Sequence, residues 1–184
     1  SVDGLRPEAI QQLGKEQLPA LYRFREQGAW TDNARSDFDY TRTLPNHASM
    51  MTARSVTGDN GHGQRDNDMP EPNTTLHNNT GEEAYVNSVF DVTHDHGLST
   101  SLYVSKSKFI LYEQTYNEKS GAKDTTGVDN GTDKIDHYLF LSPDRTAGAL
   151  ITQYIEDMGK EHYNFSFLHI TDTDGAGHVD RWRT

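Results

Sequence analysis

The feature that most constrains the fold of this chain is an alternation of short strand-like runs with helical patterns. Segments 100–104 and 165–170 are rich in strand-forming residues, whereas 7–28, 82–95 and 146–158 carry apolar residues at helical spacing. Helices that alternate with short strands predict an α/β fold, with a largely parallel sheet flanked by helices.

Local signals refine the boundaries of these elements. Pro7 suits the first residue of a helix, and Gly28 and Gly97 suit positions just after a helix end. A short helix is predicted over 48–53, preceded by Pro45-Asn46-His47. Weaker patterns predict a further regular element over 109–116, leave 139–141 ambiguous, and predict loops over 58–81 and 120–133, which are rich in Asn, Asp and Gly.

Polar residues fall where the predicted strands end. Ser1-Val2-Asp3-Gly4 is typical of the last residues of a strand running into a loop, and Asp172 and Asp174 follow the strand predicted at 165–170. Thr43 precedes the predicted short helix. In parallel α/β sheets, sites form at such strand ends, so these residues are candidates for one site.

Composition limits the chemistry of that site. The 184 residues predict a single domain spanning 1–184, with a lean core because only 33% are hydrophobic. A net charge of -11 argues against a nucleic-acid coat or an anionic membrane surface as partner, although a bound metal could still attract a phosphate substrate. The chain has no cysteine, so any metal must be held by His, Asp, Glu or hydroxyl oxygen. No apolar run approaches the length of a membrane span.

Asp3 and Thr43 each allow two interpretations. Asp3, followed by Gly4, can present a carboxylate to a cation, or it can be an ordinary turn aspartate. Thr43 lies where helix N–H groups and the helix dipole favour a phosphate oxygen. Its hydroxyl could attack phosphorus when activated by a metal, or it could simply cap the helix.

The segment Asp172-Thr173-Asp174-Gly175-Ala176-Gly177-His178 carries the third candidate group. Asp174 and His178 are four residues apart, and two glycines would let a loop fold back between them. One carboxylate and one imidazole could then meet the same cation. The alternative is a glycine-rich loop with solvated polar side chains.

Taken in order, the motifs resemble a known family. They are Val2-Asp3-Gly4-Leu5-Arg6-Pro7, Thr43-Leu44-Pro45-Asn46-His47, His62-Gly63 followed by Asn67, and Asp174-x-x-Gly177-His178. This set resembles the nucleotide pyrophosphatase/phosphodiesterases (type I phosphodiesterases) of the alkaline phosphatase superfamily, and segments 50–54, 89–97 and 100–109 resemble the same family. The resemblance implies an alkaline-phosphatase-like three-layer sandwich.

The resemblance also implies roles for the matching residues. Thr43 would be the nucleophile and form a covalent phospho-threonine, and Asn67 would hydrogen-bond a phosphoryl oxygen. Asp3 and Thr43 would bind one metal, and Asp174 and His178 a second. Two zinc ions are expected, with other divalent cations as alternatives. The substrate would be a small-molecule phosphodiester or nucleotide, and the location extracytoplasmic, periplasmic or secreted.

Two metal-binding elements of the family, a later Asp-His-Gly and a distant His, have no match after Asp174. The resemblance therefore implies that the chain is an N-terminal portion of the family's catalytic domain. Residues 1–184 would then form a single but incomplete alkaline-phosphatase-like domain. One alternative is a catalytically incomplete metal-binding or interaction domain on the same fold. Another is a phosphomonoesterase or phosphonate hydrolase of the same superfamily.

Other histidines and lysines are assigned lesser roles. His94-Asp95-His96-Gly97 repeats the Asp-His-Gly letters but falls at a predicted helix end, where His and Gly are favoured for capping. If that interpretation is wrong, Asp95 and His96 could complete a rearranged site. His47 is expected to pack or cap and His62 to shape its loop, and Lys106 and Lys108 are expected to be solvated or close to phosphate.

Overall fold

The computed structural model describes residues 1–80, 84–142 and 147–180, and these residues confirm the predicted α/β fold. In this part of the chain, three parallel strands form one sheet in the order β2-β1-β3. The elements in chain order are α1 (Pro7–Gln17), α2 (Pro19–Gln27), α3 (Thr43–Thr52), α4 (Leu76–Asn79), α5 (Val89–His94), β1 (Thr100–Val104), a 3-10 turn (Ser107–Phe109), α6 (Ile110–Tyr116), β2 (His137–Phe140), α7 (Ala147–Lys160), β3 (Phe165–His169) and α8 (Asp172–Asp180).

The sheet is organised around β1. All five residues of this strand are buried, and Val104 at its end pairs with Phe140 of β2 and His169 of β3. Val2 forms a parallel bridge with Ile170, just past the end of β3, and the Asp3 N–H donates to the Ile170 carbonyl at 2.8 Å. Asp3 therefore follows a strand-like segment, as the sequence predicts, and lies at the carboxyl edge of the sheet.

Helices cover both faces of the sheet, which confirms the predicted three layers. Tyr103 of β1 packs against Tyr154 of α7, with ring centroids 5.2 Å apart. Leu102 and Val104 point to the opposite face, because side chains alternate along a strand. There they join a core drawn mainly from α3, α5 and α6, which includes Leu44, Ala48, Met51, Phe90, Phe109, Leu111, Tyr112 and Tyr116.

Two predicted helices have different starts. Of the helix predicted over 82–95, residues 82–83 lie outside the described residues, and 84–88 are not helical. α5 begins at Val89 because Ser88 and Asp91 form a capping box, in which Ser88 N–H donates to the Asp91 carboxylate at 2.7 Å. The helix predicted over 48–53 begins at Thr43 instead, so Thr43 is its first residue rather than the residue before it.

Other boundaries shift by smaller amounts. The helix predicted over 7–28 is two helices, because Gly14 has a φ of 70° and Leu18 leaves the helical region before Pro19 starts α2. The predicted loop 58–81 contains the short helix α4, and its residue 81 lies outside the described part. α7 covers the helix predicted over 146–158, except for residue 146, which is outside the described residues.

Most of the remaining predictions of secondary structure are confirmed, and the strand predicted over 165–170 ends one residue earlier, at His169. Strand 100–104 is confirmed with both ends, 109–116 contains the end of the 3-10 turn and α6, and 120–133 has neither helix nor strand. The ambiguous segment 139–141 overlaps β2. Among the described residues, no helix has the length and hydropathy needed to cross a membrane.

Candidate active site

The five residues predicted for the site line one open cleft. They are Asp3, Thr43, Asn67, Asp174 and His178. The cleft lies at the carboxyl edge of the sheet, where Asp3 follows the Val2 bridge and α8 follows β3. Its volume of about 630 Å³ suits a small organic ligand. Four separate segments of the sequence therefore meet in one place, as their motifs predict.

Thr43 opens α3 and faces two charged groups. Its Oγ1 donates to Asp3 Oδ2 at 3.3 Å and accepts from Lys106 Nζ at 3.2 Å. Arg42 is the N-cap residue, and its own side chain makes no capping hydrogen bond. The prediction that Thr43 itself might be the N-cap is therefore wrong, because its hydroxyl is turned to the site rather than to the backbone of its own helix.

Asn67 bonds the same helix start from a neighbouring loop. Its Oδ1 accepts from the Leu44 N–H at 2.9 Å. Lys108 Nζ donates to the Asn67 carbonyl oxygen, which fixes the backbone of this loop. Because Oδ1 is used as an acceptor by Leu44, the amide of Asn67 has a defined orientation, with Nδ2 as its donor end.

Asp174 and His178 lie on a helix, which corrects the prediction of a glycine loop. α8 runs over Asp172–Asp180 with Asp172 and Asp174 in its first turn, where carboxylates are favoured by the helix dipole. Residues four apart share one face of a helix, and His178 Nε2 lies 3.5 Å from Asp174 Oδ1. The predicted proximity therefore holds, but it comes from helical periodicity and not from a folded-back loop.

Lys106 is a site residue that sequence reasoning missed. Its Nζ donates to Asp3 Oδ2 at 2.6 Å and to Asp174 Oδ2 at 2.7 Å, in addition to Thr43. Only 19% of its side chain is exposed, so of the two predicted alternatives the solvated lysine is wrong, and closeness to a bound phosphate stays a prediction. Burial lowers the pKa of Lys106, but hydrogen bonds to Asp174 and Asp3 outweigh burial and raise the pKa above its ordinary value.

Asp3 is the most strongly perturbed carboxyl of the cleft. Burial raises its pKa, but the adjacent imidazole of His169 and the hydrogen-bonded ammonium of Lys106 outweigh burial and hold the pKa well below the usual range. His169 Nε2 lies 3.5 Å from Asp3 Oδ2 and has no exposed surface. Asp3 is therefore ionised at neutral pH and carries a full negative charge beside Thr43.

His169 and His47 form an aromatic floor beneath the cleft. The ring of His169 lies 5.0 Å from that of His47 and 4.2 Å from that of Phe109. His47 Nδ1 lies 2.8 Å from the Thr43 carbonyl oxygen, and burial lowers its pKa to about 4. His47 therefore packs, as predicted. His169 was missed, although a histidine in an apolar strand just before Asp174 was a usable signal.

The segment His94-Asp95-His96-Gly97 lies at the opposite edge of the sheet. His94 Nδ1 lies 2.9 Å from Asp124, and Asp95 lies 3.6 Å from Lys134 Nζ. This cluster adjoins Thr100, where β1 begins, whereas the cleft lies where β1 ends. His96 is exposed and lies 2.8 Å from the Val92 carbonyl. The capping interpretation is confirmed, and Asp95 and His96 do not join the cleft.

The donor set of the cleft fits a divalent cation in chemical type. Asp3 with Thr43, and Asp174 with His178, form two pairs of the oxygen and nitrogen donors that zinc accepts. The ammonium of Lys106 lies where the two carboxylates converge, so this point already holds positive charge. Within residues 1–80, 84–142 and 147–180, no group of three or more His, Asp or Glu side chains is arranged around one metal position.

Comparison with known proteins agrees with this geometry. The family model described as type I phosphodiesterase / nucleotide pyrophosphatase matches residues 1–180. No curated protein and no solved structure matches the chain. The match covers every residue of the cleft, including Asp3 near one end and His178 near the other. The chain therefore belongs to the type I phosphodiesterase / nucleotide pyrophosphatase family.

Proposed function

We propose that this chain carries the catalytic centre of a hydrolase that cleaves phosphodiester or pyrophosphate bonds in nucleotide-type small molecules. The proposal includes a covalent phospho-threonine intermediate on Thr43 and dependence on zinc or another divalent cation. One observation carries it: Thr43 Oγ1 lies at the start of a helix, between the Asp3 carboxylate and the Lys106 ammonium.

The two neighbours of Thr43 prepare its oxygen for attack on phosphorus. Asp3 accepts the hydroxyl proton in a hydrogen bond, which orients the lone pairs of Oγ1. Lys106 donates to one of these lone pairs and stabilises negative charge that develops on Oγ1. An ionised Asp3 and a charged Lys106 are both favoured by their shifted pKa values. A free Oγ1 lone pair then attacks phosphorus while the bond from phosphorus to the leaving oxygen breaks, the Thr43 hydroxyl proton passes to Asp3 or to solvent, and the leaving group takes up a proton from water. Water then attacks the same phosphorus, breaks its bond to Oγ1 and returns the proton to Thr43.

The start of α3 provides the binding position for the phosphoryl group. Leu44 N–H already donates to Asn67 and Pro45 has no N–H, so the Thr43 N–H and the helix dipole are the features of this first turn that favour an anion. Asn67 accepts from Leu44 through Oδ1, which leaves its Nδ2 hydrogens as donors for a phosphoryl oxygen. These groups position the phosphorus close to Thr43, and positioning contributes much of the rate in phosphoryl transfer.

Divalent cations would be held by the two donor pairs. Asp3 and Thr43 would hold one ion, and Asp174 and His178 the other, with zinc the ion that best suits mixed carboxylate and imidazole donors. When bound, such ions supply Lewis-acid stabilisation of negative charge on the phosphoryl group. An extracytoplasmic location is also proposed, supported by the family resemblance and by the lack of cysteine.

Hydrolysis of a simple aryl phosphodiester tests this proposal. The chain should hydrolyse the diester with zinc present and lose the activity in excess chelator. Thr43→Ala should reduce the rate by about 10³-fold or more, because the nucleophile is removed, and Thr43→Ser should retain part of it. An aryl phosphomonoester measured in parallel separates a diesterase from a monoesterase. Equal rates for Thr43→Ala and the parent chain would refute the role of Thr43.

A further inference from the structure

Lys106 contacts one carboxylate from each of the two proposed metal-ligand pairs, Asp3 with Thr43 and Asp174 with His178. Its Nζ contacts Asp3 Oδ2, Asp174 Oδ2 and Thr43 Oγ1 at 2.6, 2.7 and 3.2 Å. An ammonium group has three N–H donors, so these contacts can use all of them. The side chains of Lys106, Asp3 and Asp174 are 19%, 15% and 16% exposed, which limits screening by water.

The backbone next to Lys106 is fixed by hydrogen bonds, whereas its long side chain can change conformation. The preceding residue, Ser105, donates from its N–H and from Oγ to the His169 carbonyl at 3.2 and 3.1 Å. Lys106 itself is the N-cap of the 3-10 turn and has extended backbone angles. The four-carbon stem can therefore move Nζ by rotation about its own bonds, without any change in the sheet.

From this geometry we propose that Lys106 is a built-in cation that competes with a divalent metal for Asp3 and Asp174. The inference rests on the proposed metal dependence. With Lys106 in place, the two carboxylates are joined and partly neutralised, so the site stays assembled without metal. A divalent cation that takes the same oxygens meets the positive charge of Lys106, and Nζ must give up both carboxylates, while keeping its contact with Thr43 Oγ1, for the ion to bind.

The neighbouring Lys108 provides a matched control. It lies two residues further along the chain and also borders the site, but its Nζ donates to the Asn67 carbonyl and not to the carboxylates. If Lys106 competes for Asp3 and Asp174, removal of its charge should change the zinc affinity strongly, and removal of the Lys108 charge should change it little. If only the overall charge of the cleft mattered, removal of either lysine charge would change the zinc affinity by a similar factor.

The test measures zinc affinity by competition with a chromophoric chelator, for the parent chain, Lys106→Met, Lys106→Arg and Lys108→Met. Circular dichroism checks that each variant is folded. Lys106→Met should bind zinc at least tenfold more tightly than the parent, which corresponds to about 1.4 kcal/mol. Lys106→Arg keeps the charge and should show no gain, and Lys108→Met should stay within about threefold of the parent.

Three results would overturn the proposal, and they are distinguishable. Equal zinc affinity of the parent and folded Lys106→Met would refute competition by Lys106 and leave metal dependence standing. No zinc binding by the parent or by any variant would refute the metal-dependent function, and the competition with it. Because Lys106→Arg preserves both charge and approximate size, a gain in that variant would also contradict the competition mechanism.

Discussion

Acid should destabilise this protein through His62, a buried histidine that has no exposed surface. The Gln64 backbone N–H donates to His62 Nδ1 at 3.1 Å, so Nδ1 is an acceptor, and the neutral ring carries its proton on Nε2, 3.0 Å from Ser49 Oγ. A proton added to Nδ1 would face the Gln64 N–H, donor against donor. Burial lowers the pKa of His62 from 6.5 to about 4.

The sign and size of the effect follow from these two pKa values. Below pH 6.5 the unfolded chain takes up a proton at His62, whereas the folded chain does so only near pH 4. The contribution of neutral His62 to the free energy of unfolding is therefore fully present above pH 6.5, and it is lost progressively as the pH falls from 6.5 to about 4. At 1.36 kcal/mol per unit, the fall from pH 6.5 to pH 5 removes about 2 kcal/mol of unfolding free energy.

Urea denaturation at pH 7 and pH 5, with chelator present, measures this loss. His62→Gln is less stable at both values because its packing changes, but it has no titrating group, so its loss between pH 7 and pH 5 should be about 2 kcal/mol smaller than that of the parent. The exposed His96, changed to Gln, should leave the parent's loss unchanged. A loss in His62→Gln equal to that of the parent would refute the role assigned to His62.

Three further predictions concern stability and rate. Gly63→Ala should lower the free energy of unfolding, measured by urea denaturation, by at least about 3 kcal/mol, because the new Cβ would lie 2.0 Å from the Asn79 carbonyl oxygen. Gly97→Ala has the same left-handed backbone but open space around the new Cβ, so it should cost about 1–2 kcal/mol. Similar costs for the two variants would contradict the clash at Gly63. Ser88→Ala should cost about 1 kcal/mol in the same assay through loss of the capping box, and a neutral result would contradict that cap. Asn67→Ala should lower kcat/KM by about 10²-fold without a change in circular dichroism, and an unchanged kcat/KM would exclude Asn67 as a phosphoryl donor.

The parts of the fold that the sequence predicts well are those where burial dominates. β1 is buried on both faces, so its five residues form an uninterrupted run with clear ends. β2 is only partly buried and has four residues, so its pattern over 139–141 was ambiguous. Edge strands of this kind lack the continuous apolar signal that a central strand carries.

Helix starts were less predictable because apolar spacing does not fix them. Val86 continues the apolar spacing of α5 upstream, but the helix begins after Ser88, where a side chain is available to satisfy the first N–H groups. The spacing of Ser88 and Asp91 is the capping-box pattern and could have corrected the boundary. Gly175 and Gly177 similarly suggested a loop, although the aspartates before them favour a helix start.

The candidate site was predictable as far as strand ends determine it. Asp3 and Asp174 line one cleft because parallel strands bring their carboxyl ends to the same edge, and Thr43 joins them from the start of α3. Lys106 was not predictable in the same way, because the partner of a long, flexible side chain depends on the tertiary arrangement. Its place two residues after the central strand was the signal that a topological argument could have used.

The central claim is that Thr43 forms a covalent intermediate, and the stereochemical course at phosphorus tests it most directly. A phosphorothioate diester that is chiral at phosphorus is hydrolysed in H₂¹⁸O, so that the incoming labelled oxygen makes the thiophosphate product chiral as well, and the configuration of this product is determined. Each in-line displacement inverts phosphorus, so attack by Thr43 followed by attack of water should give overall retention. Overall inversion would show a single displacement by water and would contradict the phospho-threonine intermediate.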